Sequence, residues 1–155
     1  MNASDRPRAV LVTGAAKRLG REIALALAGG GWSVAVHYRG SAQEARQTVA
    51  DCTAAGGASQ RFAAVQADLS DEAAARGLVP DTVAALGALD AVVNSASVFE
   101  HDAVQSFGYQ QLQRHLLPNV GAPVLLAQSL HEHLRQRDAE GAVVNLLDQK
   151  LWNPN

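Results

Sequence analysis

The sequence predicts an α/β fold, a doubly wound parallel sheet with strand order 3-2-1-4-5 and helices on both faces. Three observations predict it. Short, continuously apolar runs recur along the chain, the pattern of strands buried on both faces. Segments with apolar residues at helical spacing separate them, so strands and helices alternate. Glycine, polar and charged residues then collect where each apolar run ends, which is where sheets of this kind bind ligands.

The first strand is read at residues 9–13, an apolar run broken by Gly14. Leu19, Ile23, Ala26 and Leu27 follow at helical spacing and predict a helix whose amino end points back at the turn. Such an end presents unpaired N–H groups and a positive dipole, so it attracts phosphate. Gly14 permits the sharp turn, Gly20 a close approach, and Lys17 and Arg18 add positive charge. The generic dinucleotide fingerprint places a further glycine between Gly14 and Gly20, where Arg18 stands. Taken alone, the stretch is also compatible with a plain strand-turn-helix carrying a surface basic pair.

Gly29-Gly30-Gly31 ends the first helix, and residues 33–37 form the second strand. Ser41 and Glu44 have capping-box spacing at the start of a second helix, with Ala42, Ala45, Val49 and Cys52 inward. Cys52 is thereby expected to be a small core residue. Gly56-Gly57 ends that helix, and residues 61–66 are the third strand, followed by Asp68-Leu69. Ser70, Asp71 and Glu72 open a third helix with Leu78, Val83 and Leu86 inward, and Pro80 is expected to kink or restart it. Residues 89–93 are the fourth strand, ending at Asn94-Ser-Ala-Ser97. A long helical region over 106–137 follows, with Leu112, Leu116, Val120, Ala127 and Leu134 inward and Pro118 and Pro123 disturbing its middle. Residues 142–147 are the fifth strand, with Asp148 at its end, and residues 152–155 read as loop.

At 155 residues the chain fits one domain. Its apolar content of 48% sustains a core, but with only 5% aromatics that core must be built from Ala, Val and Leu. A net charge of −2 gives no reason to expect nucleic acid or a membrane surface as partner. The single cysteine offers no disulfide framework. No apolar run approaches a membrane span and no signal peptide is read, so the expectation is a cytoplasmic protein.

These motifs resemble the short-chain dehydrogenase/reductase family, and within it the pteridine reductase-like branch, over residues 9 to 155. Thr13-Gly-Ala-Ala-Lys-Arg-Leu-Gly20 is similar to that branch's cofactor loop, including the Arg in place of the middle glycine. Asp68-Leu69 resembles the pair after strand 3, whose Asp is expected to hold the adenine amino group. Asn94-Ser-Ala-Ser97 is similar to the Asn-Asn-Ala-Gly motif, with Ser95 and Ser97 as departures that the branch partly shares. Asn119 falls where the family keeps an Asn that orders the catalytic lysine and a relay water. The resemblance implies a Rossmann-type sheet with Gly14, Lys17, Arg18, Leu19, Gly20, Asp68, Leu69, Asn94, Ser95, Ala96 and Ser97 around the cofactor.

The end of the second strand indicates which nicotinamide is used. An acid there would grip the ribose diol of NAD and repel a 2′-phosphate. The sequence offers His37-Tyr38-Arg39-Gly40-Ser41, with no carboxylate until Glu44. Arg39 can pair with phosphate, Ser41 can donate to it and Lys17 can reach the same pocket, so NADPH is expected. The alternative is a solvated Arg39 and a Ser41 that only caps its helix.

For the substrate, the resemblance implies a pterin. Phe99 falls where that branch stacks the pterin ring, and Asp148 replaces the Ser usual after strand 5, as in pteridine reductases. A carboxyl group can bond an amino-pyrimidine edge and help deliver a proton. Arg18 can touch cofactor phosphate and pterin alike. On the residues alone Phe99 reads rather as a core or lid aromatic, and the alternative for Asp148 is an exposed loop acid.

The family's chemistry also requires a Tyr-x-x-x-Lys pair on the helix after strand 5, and none occurs here. Tyr38 and Tyr109 lie elsewhere, without a lysine four places on. The chain is therefore expected to be the amino-terminal portion of a longer, homodimeric or homotetrameric enzyme. It is itself expected to bind cofactor weakly and to catalyse nothing, with strand 5 left as an unprotected edge. The alternatives are a truncated product without catalysis, a cofactor- or partner-binding remnant, or a reductase of ordinary carbonyls. A flavodoxin-like domain would share the strand order but leave Asp68 without a purpose. No metal site is expected, because His131 and His133 point in different directions on a helix.

Overall fold

The computed structural model describes residues 6–101 and 103–148. Its strands are β1 (Ala9–Val12), β2 (Ser33–Tyr38), β3 (Phe62–Gln66), β4 (Ala91–Asn94) and β5 (Ala142–Asn145). They form one parallel sheet of order β3-β2-β1-β4-β5, as the sequence predicts. The helices are α1 (Arg18–Gly29), α2 (Ala42–Ala55), α3 (Glu72–Leu86), α4 (Tyr109–Leu116) and α5 (Ala122–Gln136). A π-helical segment, Leu117–Gly121, joins the last two. The loop expected at residues 152–155 lies outside the described residues.

Side-chain alternation along the strands divides the core into two layers. Ala9, Leu11, Ala35 and Val92 face α3 and α5, while Val10, Val12, Val34, Val36 and Val93 face α1 and α2. β1 and β4 are buried along their whole length, which is why they read as unbroken apolar runs. Cys52 is a buried member of the second layer, and burial pushes its thiol up to about 11. It is a core residue.

Several helical faces differ from the expected ones. On α1 the buried positions are Gly20, Ala24 and Ala28, while Leu19 and Ala26 are exposed. Small residues let this helix lie close to the sheet, and its larger Ile23 and Leu27 pack only at the margin. On α2, Thr48 joins Ala45 and Cys52 inside, its hydroxyl donating to the Ala16 carbonyl at 3.1 Å. The expected capping box does not form: Ser41 makes no side-chain cap bond, and Glu44 pairs with Lys17 instead. α3 begins at an Asp71 cap that accepts from the Ala74 amide, and it continues through exposed Pro80 as one helix without restarting.

The largest revision concerns residues 106–137. Leu112, Leu116 and Val120 are exposed and Ala127 is half-buried, while the buried positions are Pro118, Ala122, Leu126, Leu130 and, as expected, Leu134. Pro118 and Pro123 have no N–H to donate, and the Ala122 amide reaches back five residues to the Leu117 carbonyl. That wide turn resets the helical phase, so an apolar stripe on α4 does not continue into α5. Full burial of Leu126 and Leu130 contributes about 1.5–3 kcal/mol each. All of β5 is exposed, including Val143 and Val144, and it forms one edge of the sheet.

Candidate functional site: a cleft at the carboxyl ends of the strands

Because every strand runs the same way, the residues that follow them gather at one edge of the sheet. They line a cleft of about 1050 Å³. The turn after β1 is built first. Gly14 has φ +64°, and a Cβ there would stand 2.8 Å from Ala96 Cα. A Cβ at Gly20 would stand 2.4 Å from the Gly14 carbonyl oxygen. Only glycine lets β1, α1 and the segment after β4 approach this closely.

Thr13 joins two of these segments. Its hydroxyl accepts from the Ser95 and Ala96 amides at 3.0 Å each and donates to the Val93 carbonyl at 3.4 Å. The buried side chain is thereby fully used. Ser95, Ala96 and Ser97 line the cleft in consequence. Asn94 does not. It is buried, and its Nδ2 donates to Asn145 Oδ1 at 2.8 Å across the β4–β5 pair, leaving Oδ1 buried without a partner.

The α1 amino end opens directly into the cleft. No side chain caps it, and its first turn contains no acid, whereas α2 and α3 carry Glu44 and Glu72 there. Lys17, Arg18, Leu19 and Gly20 all line the cleft. Arg18 occupies the position of the missing glycine and adopts its conformation, with φ 55°. A side chain in the left-handed region costs roughly 1–2 kcal/mol. Sequence inspection found the Arg, but not this strain.

His37, Tyr38, Arg39 and Ser41 bring the end of β2 to the cleft. Lys17 is partly neutralised by Glu44, whose carboxyl the lysine holds below its usual range. His37 differs from its neighbours in being buried, with both ring nitrogens committed to backbone. Burial holds its pKa below the ordinary 6.5, despite the Ala67 carbonyl and the Asp68 charge. At the end of β3, Asp68 Oδ1 accepts from the Ser70 hydroxyl and amide, which keep this carboxyl ionised below its usual range. Leu69 lines the cleft beside it.

The candidate substrate and catalytic residues divide. Arg18 and Asp148 line the same cleft, while Phe99 is 78% exposed, outside the lining, with its ring edge-to-face against His101. Asn119 lies outside the lining too. Its Oδ1 accepts from the Val98 amide and its Nδ2 donates to the Val98 carbonyl, both at 2.8 Å. The side chain fastens the segment after β4 to the π-helical turn. Ala16, Gly40, Val98, Pro118, Leu146 and Leu147 also line the cleft. Sequence reasoning missed these apolar or small residues because their types carry no chemical signal of their own. Among the described residues no group of three or more metal-ligating side chains occurs, and no helix is long and apolar enough to cross a membrane.

Comparison with known proteins agrees with this architecture. The family model described as short chain dehydrogenase matches residues 8–148. An uncharacterised oxidoreductase of Methylorubrum extorquens is 37% identical over 139 residues, covering 90% of this chain and 54% of that protein. A 3-oxoacyl-[acyl-carrier-protein] reductase of Staphylococcus aureus is 33% identical over 140 residues, covering 90% and 55%. Among solved structures, FolM alternative dihydrofolate reductase 1 from Brucella suis, in complex with NADP, superposes with a TM-score of 0.86 at 34% identity. That match covers 96% of this chain and 60% of the Brucella chain. The chain spans about half the length of the curated relatives it matches. The chain belongs to the short-chain dehydrogenase family.

Proposed function

We propose that this chain forms the cofactor-binding part of an NADPH-dependent oxidoreductase that reduces a pterin. The observation that carries the reading is the meeting of three groups in one cleft: the uncapped α1 end with Arg18, the carboxylate-free end of β2 with Arg39, and Asp148. The cleft fits a dinucleotide phosphate, since the uncapped, acid-free amino end of α1 opens into it beside Lys17 and Arg18. Arg39, Ser41 and Lys17 would hold the 2′-phosphate, Asp68 the adenine, and the segment from Ser95 to Ser97 the inner part of the cofactor. When bound, the cofactor supplies hydride. Arg18 would orient the pterin, and the Asp148 carboxyl would bond its amino-pyrimidine edge and pass a proton. Asn119 acts through Val98, as a positioning residue. The similarity to an alternative dihydrofolate reductase supports this substrate class.

Reduction of ordinary carbonyls is the second reading, favoured by the outward placement of Phe99 and by the similarity to a 3-oxoacyl reductase. Turnover is proposed for the whole protein, as a homodimer or homotetramer. The 155-residue chain, which contains no Tyr-x-x-x-Lys, is expected to bind without turning over. Parallel titrations of the purified chain with NADPH and NADH test the cofactor assignment. A preference of about ten-fold or more for NADPH is expected, and equal or reversed affinity would overturn it.

A further inference from the structure

His37 lies between the two turns that flank the cofactor end of the cleft. Its ring is buried under them, with the residue 2% exposed. The Gly14 amide donates to Nδ1 at 3.1 Å, so Nδ1 carries no proton. Nε2 lies 3.1 Å from the Ala67 carbonyl, an acceptor, so Nε2 carries the hydrogen. One neutral tautomer satisfies both contacts. The same residue's backbone carbonyl accepts from the Ala15 amide at 2.9 Å, so successive amides of the glycine turn are anchored on His37.

We propose that His37 is a positioning residue that clamps the Gly14 turn to the Ala67–Asp68 turn, so that dinucleotide affinity depends on Nδ1 remaining an acceptor. The proposal rests on the NADPH reading given above. A proton on Nδ1 would set a donor against the Gly14 donor and push the turn out of place. The groups facing the ring are the Gly14 amide from the β1 turn and the Ala67 carbonyl and Asp68 carboxylate from the β3 turn, with Arg39 acting on Asp68 in turn. No other side chain makes a hydrogen bond to the ring among the described residues. Asp68 favours the proton and burial opposes it more strongly.

Asn and Gln each reproduce one half of the clamp. Asn places an oxygen near the Nδ1 position, and Gln places an amide near Nε2. The test compares the purified protein with H37N and H37Q, each checked for folding by thermal melting without cofactor. NADP+ affinity is measured at about pH 8. The expected result is that H37N stays within about three-fold of the unaltered protein, while H37Q loses about ten-fold or more. Full affinity in H37Q, or a loss in H37N as large as that in H37Q, would overturn the proposal. A nitrogen-15 spectrum of the imidazole gives a cofactor-free readout: a protonated Nε2 and bare Nδ1 at about pH 8 support the clamp, and the reverse tautomer refutes it. If the unaltered protein binds no NADP+, the cofactor reading and the affinity claim both fall, while the spectrum still decides the clamp.

Discussion

Lys17 Nζ sits 3.0 Å from Glu44 Oε1, so the cation beside the end of β2 is already shared with a carboxylate from α2. On the proposed NADPH reading Glu44 is then a brake on phosphate binding; it is not part of a helix cap. Both side chains are about half exposed, so the attraction is screened by salt. E44Q is expected to tighten NADP+ binding by about two- to five-fold at low ionic strength and to leave NAD+ binding unchanged. Paired calorimetric titrations would show this, and the gain should shrink as salt is added.

The Gly14–Ala96 approach sets the cost of any side chain in the turn. G14A combines a positive φ with a Cβ 2.8 Å from backbone. It should cost about 2–3 kcal/mol of stability. Gly77 provides the contrast: it lies within α3, with no atom within 4 Å of where a methyl group would stand and no positive φ. G77A should stabilise by about 0.5–1 kcal/mol. Denaturant melts of the two variants should move in opposite directions.

Arg18 separates strain from binding. R18G removes the left-handed penalty of a position at φ 55° and the guanidinium together. Stability should rise by about 1 kcal/mol, while NADP+ affinity should fall by about ten-fold. R18A keeps the strain and loses the charge, so it should bind as weakly as R18G but melt earlier. Melting and binding measured on the same preparations would check the split.

Asp90 sits at the opposite end of the sheet and offers a pH prediction independent of the cleft. Its carboxylate accepts from Arg6 at 2.6 and 2.8 Å and from the Ala9 amide at 2.8 Å, with Arg137 at 3.4 Å. Burial pushes its pKa up, but these partners outweigh burial and leave it below the ordinary 3.8. A depressed carboxylate contributes stability that is fully present above its unfolded pKa and is lost as pH falls through the folded one. Stability should therefore decline below about pH 4 in the native protein. D90N should flatten that decline, cost about 2–3 kcal/mol at neutral pH, and leave NADP+ affinity unchanged. Acid titration followed by circular dichroism would read both.

The strand order and the cleft were legible because a parallel sheet imposes two strong signals: unbroken apolar runs, and turn chemistry confined to one edge. Gly14, Arg39 and Asp68 could be placed from those signals alone. Which helical face is covered was less legible. Periodicity identifies an apolar stripe on Leu112, Leu116 and Val120, but a π-turn at Pro118 resets the phase before Leu126. Glu44 has capping-box spacing, yet a lysine from the neighbouring loop takes it. In the sequence His37 is one more residue at the end of a strand, and only its three-dimensional setting shows that both ring nitrogens are spent on backbone. Only the family resemblance points Phe99 at a substrate, and its ring faces out beside His101.

The most direct test is initial-rate oxidation of NADPH by the full-length protein carrying this chain, with a dihydropterin, a 3-oxoacyl thioester and a simple ketone compared side by side. The dihydropterin should have the highest kcat/KM, by about ten-fold or more, NADPH should be preferred over NADH, and D148N should lower the dihydropterin value most. Faster reduction of the thioester or ketone, or a preference for NADH, would rule out an NADPH-dependent pterin reductase.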